Sequence, residues 1–187
     1  MIKNKSDYKR YLAEDAKALG KAGKKPRLIG DDIWKFERLM RKCEYSLTWK
    51  GIGKIYSKIL RLRYLRLSAK MNYSIPLGVF GPGFVLVHRG PVVVSKYARV
   101  GANCRLQTMT CLGATNGQNK APVIGDNVYI AVGAKVIGDI TIANDVAIGA
   151  GAVVVKSITE EHSTWAGVPA KKISDHGSDI HIKHAKE

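Results

Sequence analysis

Acidic residues are scarce in this chain. Fifteen Asp and Glu stand against thirty-one Lys and Arg over 187 residues, a formal charge of +16. Such a balance directs attention to anionic partners: phosphates, acidic lipid surfaces or nucleic acid. Cysteine is sparse too. Cys43, Cys104 and Cys111 are odd in number and lack a C-x-x-C pair, so they read as free thiols rather than a disulfide framework. No run of eighteen apolar residues occurs, and the start MIKNKSDYKR has no apolar signal region, so a cytoplasmic chain is expected. Four of the five histidines (His162, His176, His181 and His184) fall towards the C-terminal end, where 175–187 reads as a polar tail. That leaves one histidine, His88, within the central region, too few for a three-histidine metal site, and no metal is expected.

What the chain does have is a repeat. Stepping by six from Val94 gives Val100, Leu106, Leu112, Gln118, Ile124, Ile130, Val136, Ile142, Ile148 and Val154, aliphatic at all but one position. A period of six fits neither a 3.6-residue helix nor simple strand alternation. It fits a three-sided solenoid of short strands, about eighteen residues per coil, with small residues where the backbone bends. The polar stretch ATNGQNKAP (114–122) occupies one hexad around Gln118 without following its rules. With Gly117 and Pro122 it reads as an excursion loop that leaves the solenoid and returns in phase. Counting six back from Val94 reaches His88, an imidazole where the ladder otherwise takes aliphatics.

The hexads, the loop, IGAGAVVVKSI (148–158) and AGVPAKKI (166–173) together resemble the left-handed β-helix acyltransferases with hexapeptide repeats. Residues 72–174 look most like the serine acetyltransferase branch and its relatives in bacterial surface-polysaccharide pathways. The resemblance implies a mainly β fold, a left-handed parallel β-helix over 76–174, assembled as a homotrimer with acetyl-CoA as co-substrate in a groove between neighbours. It places the general base at His88, a residue type suited to moving a proton near neutral pH. It also places Gly113 near the thioester, Ala131 and Ala150 where the pantetheine chain passes the backbone, and Lys156, Lys171 and Lys172 near the phosphates. Trp165 either covers the cofactor or seals the last coil.

Three departures bear on the acceptor. The serine acetyltransferase pattern has Asp immediately before the base, a histidine in the loop and a carboxylate fifteen residues upstream of the base. Here those positions are Val87, Ala121 and Tyr73. Val87 offers a substrate ammonium no charge. The expected acceptor is therefore a hydroxyl on a surface-polysaccharide sugar or its precursor, with L-serine the alternative and a non-catalytic scaffold the rival class. Arg89, Gln107 and Lys120 are candidates to touch the acceptor.

Residues 1–75 differ in kind. They hold twenty Lys and Arg against seven Asp and Glu, +13 of the total charge. Helices are expected over 5–20, with Ser6 near the start and Gly20 past the end, over 30–47, and over 53–70, where Ile55, Ile59, Leu62 and Leu65 form an apolar stripe. This region reads either as a cap on the open edge of the solenoid or as a surface for anionic membrane, placing the protein peripherally on its inner face. No recognisable RNA- or DNA-binding motif accompanies the charge, and nucleic acid is not expected as a partner.

Overall fold

The computed structural model describes residues 1–115 and 119–182. Gly117, Gln118 and His184, singled out above, lie outside the described residues. Three helices come first: α1 (Lys5–Ala18), α2 (Asp32–Ser46) and α3 (Gly53–Met71). Asn4 rather than Ser6 caps α1, its side chain accepting a hydrogen bond from the Asp7 amide at 2.9 Å. Beyond the other end, Gly20 (φ 65°) donates to Lys17 and Lys21 to Ala16, a paired closure that favours glycine at that point. Helix α2 buries Phe36, Met40 and Cys43, with Ile33 and Leu39 packed at the margin.

Helix α3 departs from expectation. It buries Leu60, Tyr64, Ser68 and Met71. The anticipated stripe points outward instead, with Ile55 63%, Ile59 50%, Leu62 49% and Leu65 54% exposed. Two apolar faces exist on this helix, and periodicity alone does not say which one meets the core.

Short strands follow in chain order: β1 (Tyr73–Ser74), β2 (Val85–Leu86), β3 (Val92–Val94), β4 (Arg99–Val100), β5 (Arg105–Leu106), β6 (Thr110–Gly113) and β7 (Val123–Ile124). Then come β8 (Tyr129–Ile130), β9 (Lys135–Ile137), β10 (Thr141–Ile142), β11 (Ala147–Ile148), β12 (Val153–Val154), β13 (Thr164–Gly167) and β14 (Ala170–Ser174). They stack into three faces, ordered β1-β3-β6-β9-β12, β4-β7-β10 and β2-β5-β8-β11-β13-β14. Every pairing is parallel except the final β13–β14 hairpin. The ladder residues Val94, Val100, Leu106, Leu112, Ile124, Ile130, Val136, Ile142, Ile148 and Val154 are all buried and fill one continuous core. Register gives the coil lengths. Ile130 stands over Ile148 and Val94 over Leu112, eighteen residues apart, but Leu112 pairs with Val136, because the excursion adds one hexad to that coil.

The first coil is longer by two. Leu86, not His88, pairs with Leu106 and points inward. The segment His88-Arg89-Gly90-Pro91 rounds the corner before β3, so the backward count of six overshoots and His88 is exposed.

The helices supply what the first coil needs. An end coil turns backbone N–H groups toward no further strand, and burying them unpaired is costly. Carboxyl groups from α1 and α2 meet them. Glu44 accepts from Gly78 at 2.8 Å, Asp15 from Gly83 and Phe84 at 2.8 and 3.0 Å, and Glu37 from Leu86 at 2.7 Å. Arg41, fully buried, holds two of these acids, Asp15 and Glu44, in place. It contacts Asp15 through two nitrogens at 2.8 and 3.2 Å, Glu44 at 3.1 Å, and the carbonyls of Phe80 and Gly81 at 2.9 and 2.6 Å. Burial opposes its charge, but Asp15 and Glu44 outweigh that and push the guanidinium pKa above its ordinary value.

Candidate active site

The corner that carries His88 is fixed from both sides. Tyr73, buried in the core, donates its hydroxyl to the His88 carbonyl at 2.8 Å. Burial raises the phenol pKa to about 12, with Glu37 adding to the shift and Arg89 opposing it, so the group remains a donor near neutral pH. Tyr73 thus holds the main chain of His88. Among the described residues none hydrogen-bonds the imidazole ring, which faces solvent. On the other side Gly90 has φ 136°, and a Cβ there would stand 2.3 Å from the Thr108 hydroxyl, so only glycine fits.

Stacking brings some of the candidate residues together. Continuing the Leu106, Ile130 and Ile148 register two residues onward places Thr108, Val132 and Ala150 on one edge of the solenoid. The longer His88 corner lies at the first-coil end of that edge, where Val87 donates to the Leu106 carbonyl and Gly90 abuts Thr108. Gln107 and Ala131 stand one position earlier on successive coils of the same edge. Gln107 donates to the Tyr129 hydroxyl at 3.3 Å. The hairpin β13–β14 ends this face, with Ala166 against Gly149 and paired to Lys171. Lys171 is exposed, whereas Lys172 is engaged by Glu160 and by Asp175 at 2.6 Å. Trp165 packs against the core and donates to the Ser163 hydroxyl at 2.9 Å, which makes it a seal for the last coil.

Other candidates lie elsewhere. Gly113 and Lys156 fall at the far end of the next face, and Lys120 is exposed and paired with Asp139 at 2.6 Å. Within one chain, then, Gly113, Lys120 and Lys156 are not brought to the His88 edge.

The structure adds residues that the motif reading did not connect to the site. Between the helices and the first coil lies a cavity of about 300 Å³, lined by Leu19, Lys21, Asp31, Asp32, Ile33, Trp34, Leu86, Val87 and Arg89. Its last two members flank His88. Asp31, with φ 51°, starts α2 and binds Lys21 and Arg27, whose hydrogen bonds hold its carboxyl well below the usual carboxylate range. Asp32 pairs with Arg89. Trp34 Nε1 and Glu37 Oε2, one helical turn apart, are buried without a hydrogen-bond partner among the described residues. The Asp-Asp pair at the start of α2 is the signal in the sequence that could have pointed to them. Among the described residues no group of three or more His, Cys, Asp or Glu side chains is placed to hold a metal ion.

No family model matches the chain. A serine acetyltransferase of Bacillus pumilus is 35% identical over 107 residues, 56% of this chain and 49% of that protein. One from Salmonella typhimurium is 34% identical over 121 residues, 62% of this chain and 44% of that one. The crystal structure of serine acetyltransferase from Brucella abortus superposes with a TM-score of 0.74 at 26% identity, covering 93% of this chain and 72% of that one. In sequence and in fold the chain is serine acetyltransferase-like. Its solenoid is the left-handed β-helix of those proteins, as the repeat predicts, and three helices precede it. The serine acetyltransferase-like region has limits: the chain spans about half the length of the curated relatives it matches. The Brucella abortus enzyme is also known in complex with coenzyme A, a structure that superposes with a TM-score of 0.74, covering 92% of this chain and 70% of that one.

Proposed function

We propose that this chain transfers acetyl from acetyl-CoA to a hydroxyl, with His88 as general base and L-serine or a similar amino acid as acceptor. The observation that carries the reading is the exposed imidazole at a rigid corner, flanked by residues that line a cavity containing an Asp32–Arg89 ion pair. A hydroxyl is too weak an acid to lose its proton unaided near neutral pH. As its oxygen attacks the thioester carbonyl, His88 takes the proton; when the tetrahedral intermediate collapses, the imidazolium returns a proton to the departing coenzyme A thiolate. Backbone N–H groups at a β-helix corner are suited to stabilising the oxyanion.

The acceptor assignment rests on charge. Asp32 and Arg89 are both partly exposed, so their pairing is weak and readily replaced. A zwitterion fits between them, its ammonium on Asp32 and its carboxylate on Arg89, gaining two charge-assisted contacts. This supplies from α2 the negative charge that Val87 does not. A sugar hydroxyl is the second reading, favoured by the engagement of both Asp31 and Asp32 with the chain's own cations.

The cofactor side needs a neighbour. Gly113 and Lys156 at one edge and His88, Ala131, Ala150 and Lys171 at another form one groove only if adjacent subunits contribute, which is the trimer expected from the resemblance. Exposed Val93, Met109, Val132 and Val155 on the outer faces suit such contacts. Lys172 reaches a phosphate only by leaving Glu160 and Asp175. The test is thiol release from acetyl-CoA over a panel of L-serine, sugars and nucleotide sugars. In His88→Ala, kcat should fall by about 10²–10⁴ with coenzyme A binding retained; unchanged turnover would exclude this base.

A further inference from the structure

We propose that the outward face of α3 docks on an anionic lipid bilayer. Helix α3 carries six cations, Lys54, Lys58, Arg61, Arg63, Arg66 and Lys70, and no Asp or Glu. None of the six forms an ion pair with a described residue. Between them Ile55, Ile59, Leu62 and Leu65 stand exposed at helical spacing, and Ile52 extends the row. The core takes the opposite side of the helix, so packing within the chain does not account for this stripe.

Beside it, a cleft of about 330 Å³ between α2 and α3 is lined by Leu39, Arg63, Arg66, Leu67 and Lys70. Three cations around two leucines match a phosphate headgroup with an acyl chain beneath it. Charge selects among occupants. A second copy laid α3 against α3 would set six cations against six. Nucleic acid would satisfy the cations and leave the aliphatic row in water. An acidic leaflet answers both, as interfacial helices with basic flanks do.

The test is co-flotation of the full chain with vesicles of phosphatidylserine and phosphatidylcholine, compared with pure phosphatidylcholine. Binding is expected only to the anionic vesicles and is lost near 1 M salt, where the screening length falls to about 3 Å. Each cation removed should weaken partitioning about fivefold. Arg63→Gln/Arg66→Gln/Lys70→Gln should therefore weaken it on the order of 100-fold. Ile55→Ser/Ile59→Ser should weaken it while the melting temperature and oligomeric state hold, because both side chains are already exposed. The proposal is overturned if the unmodified chain fails to bind anionic vesicles. It is overturned equally if both variants bind as well as the parent, or if the isoleucine variant changes oligomeric state without changing flotation, which would assign the face to a second copy. Acetyl transfer enters none of these readouts, so the outcome stands apart from the reading of His88.

Discussion

Replacing Arg41 by Met tests whether the helical region is structurally welded to the β-helix. The guanidinium is fully buried and makes five hydrogen bonds, to Asp15, Glu44 and the carbonyls of Phe80 and Gly81. Methionine fills much of the same volume but leaves Asp15 and Glu44 buried without their counter-charge. Breaking a buried pair from one side typically costs about 3–5 kcal/mol. For a chain of this size that is a fall in Tm on the order of 10 °C. Urea denaturation followed by circular dichroism measures it. The pairing logic makes a second demand. Asp15→Asn in the Arg41→Met background keeps an acceptor for the Gly83 and Phe84 amides and removes an orphaned charge, so the double variant should be more stable than Arg41→Met alone. A loss under about 1 kcal/mol in the single variant, or no recovery in the double, would refute the claim that these charges staple the first coil.

Two further outcomes follow from the same region. Glu37 is fully buried, and desolvation raises its carboxyl well above the ordinary value, with Asp15 adding and the Leu86 amide and Arg41 opposing. The native state therefore keeps this proton after the unfolded chain releases it, so stability falls as pH rises above the ordinary glutamate range; Glu37→Gln should lack that decline, and an unchanged profile of urea midpoint against pH would refute the assignment. In Asp32→Asn the KM for L-serine should rise about tenfold or more with kcat largely kept, whereas an unaltered KM in steady-state assays would move the acceptor away from the Asp32–Arg89 pair.

The solenoid was legible because its core repeats. Each coil must return an aliphatic side chain to the same interior, and ten of eleven ladder positions announce it. The helices were legible within a residue or two from caps and spacing. Two features were not. The first coil carries two extra residues, so a strict count of six assigns His88 the inward place that Leu86 holds. Helix α3 has apolar residues on two sides, and which side meets the core depends on α2 and the first coil, which no local pattern encodes.

The site was legible only where its residues are close in sequence. The small residues along that edge follow from register once the β-helix is known, whereas His88 is reached through the resemblance, because the count of six gives it a place that Leu86 holds. The acidic partner does not, because Asp32 and Arg89 are 57 residues apart and meet only after α2 folds across the first coil. Reading position 87 alone suggests that the site rejects an ammonium. On the proposed function, the Asp32–Arg89 pair in the cavity supplies the charge that position 87 lacks. A substrate responds to the charges within hydrogen-bond reach, whichever element supplies them, so a missing carboxylate in a motif counts against an amino-acid acceptor only if nothing packed over the motif replaces it. Here the helical region that satisfies the backbone of the first coil also pairs Asp32 with Arg89, the chain neighbour of His88. On the proposed function, one packing arrangement serves both stability and recognition.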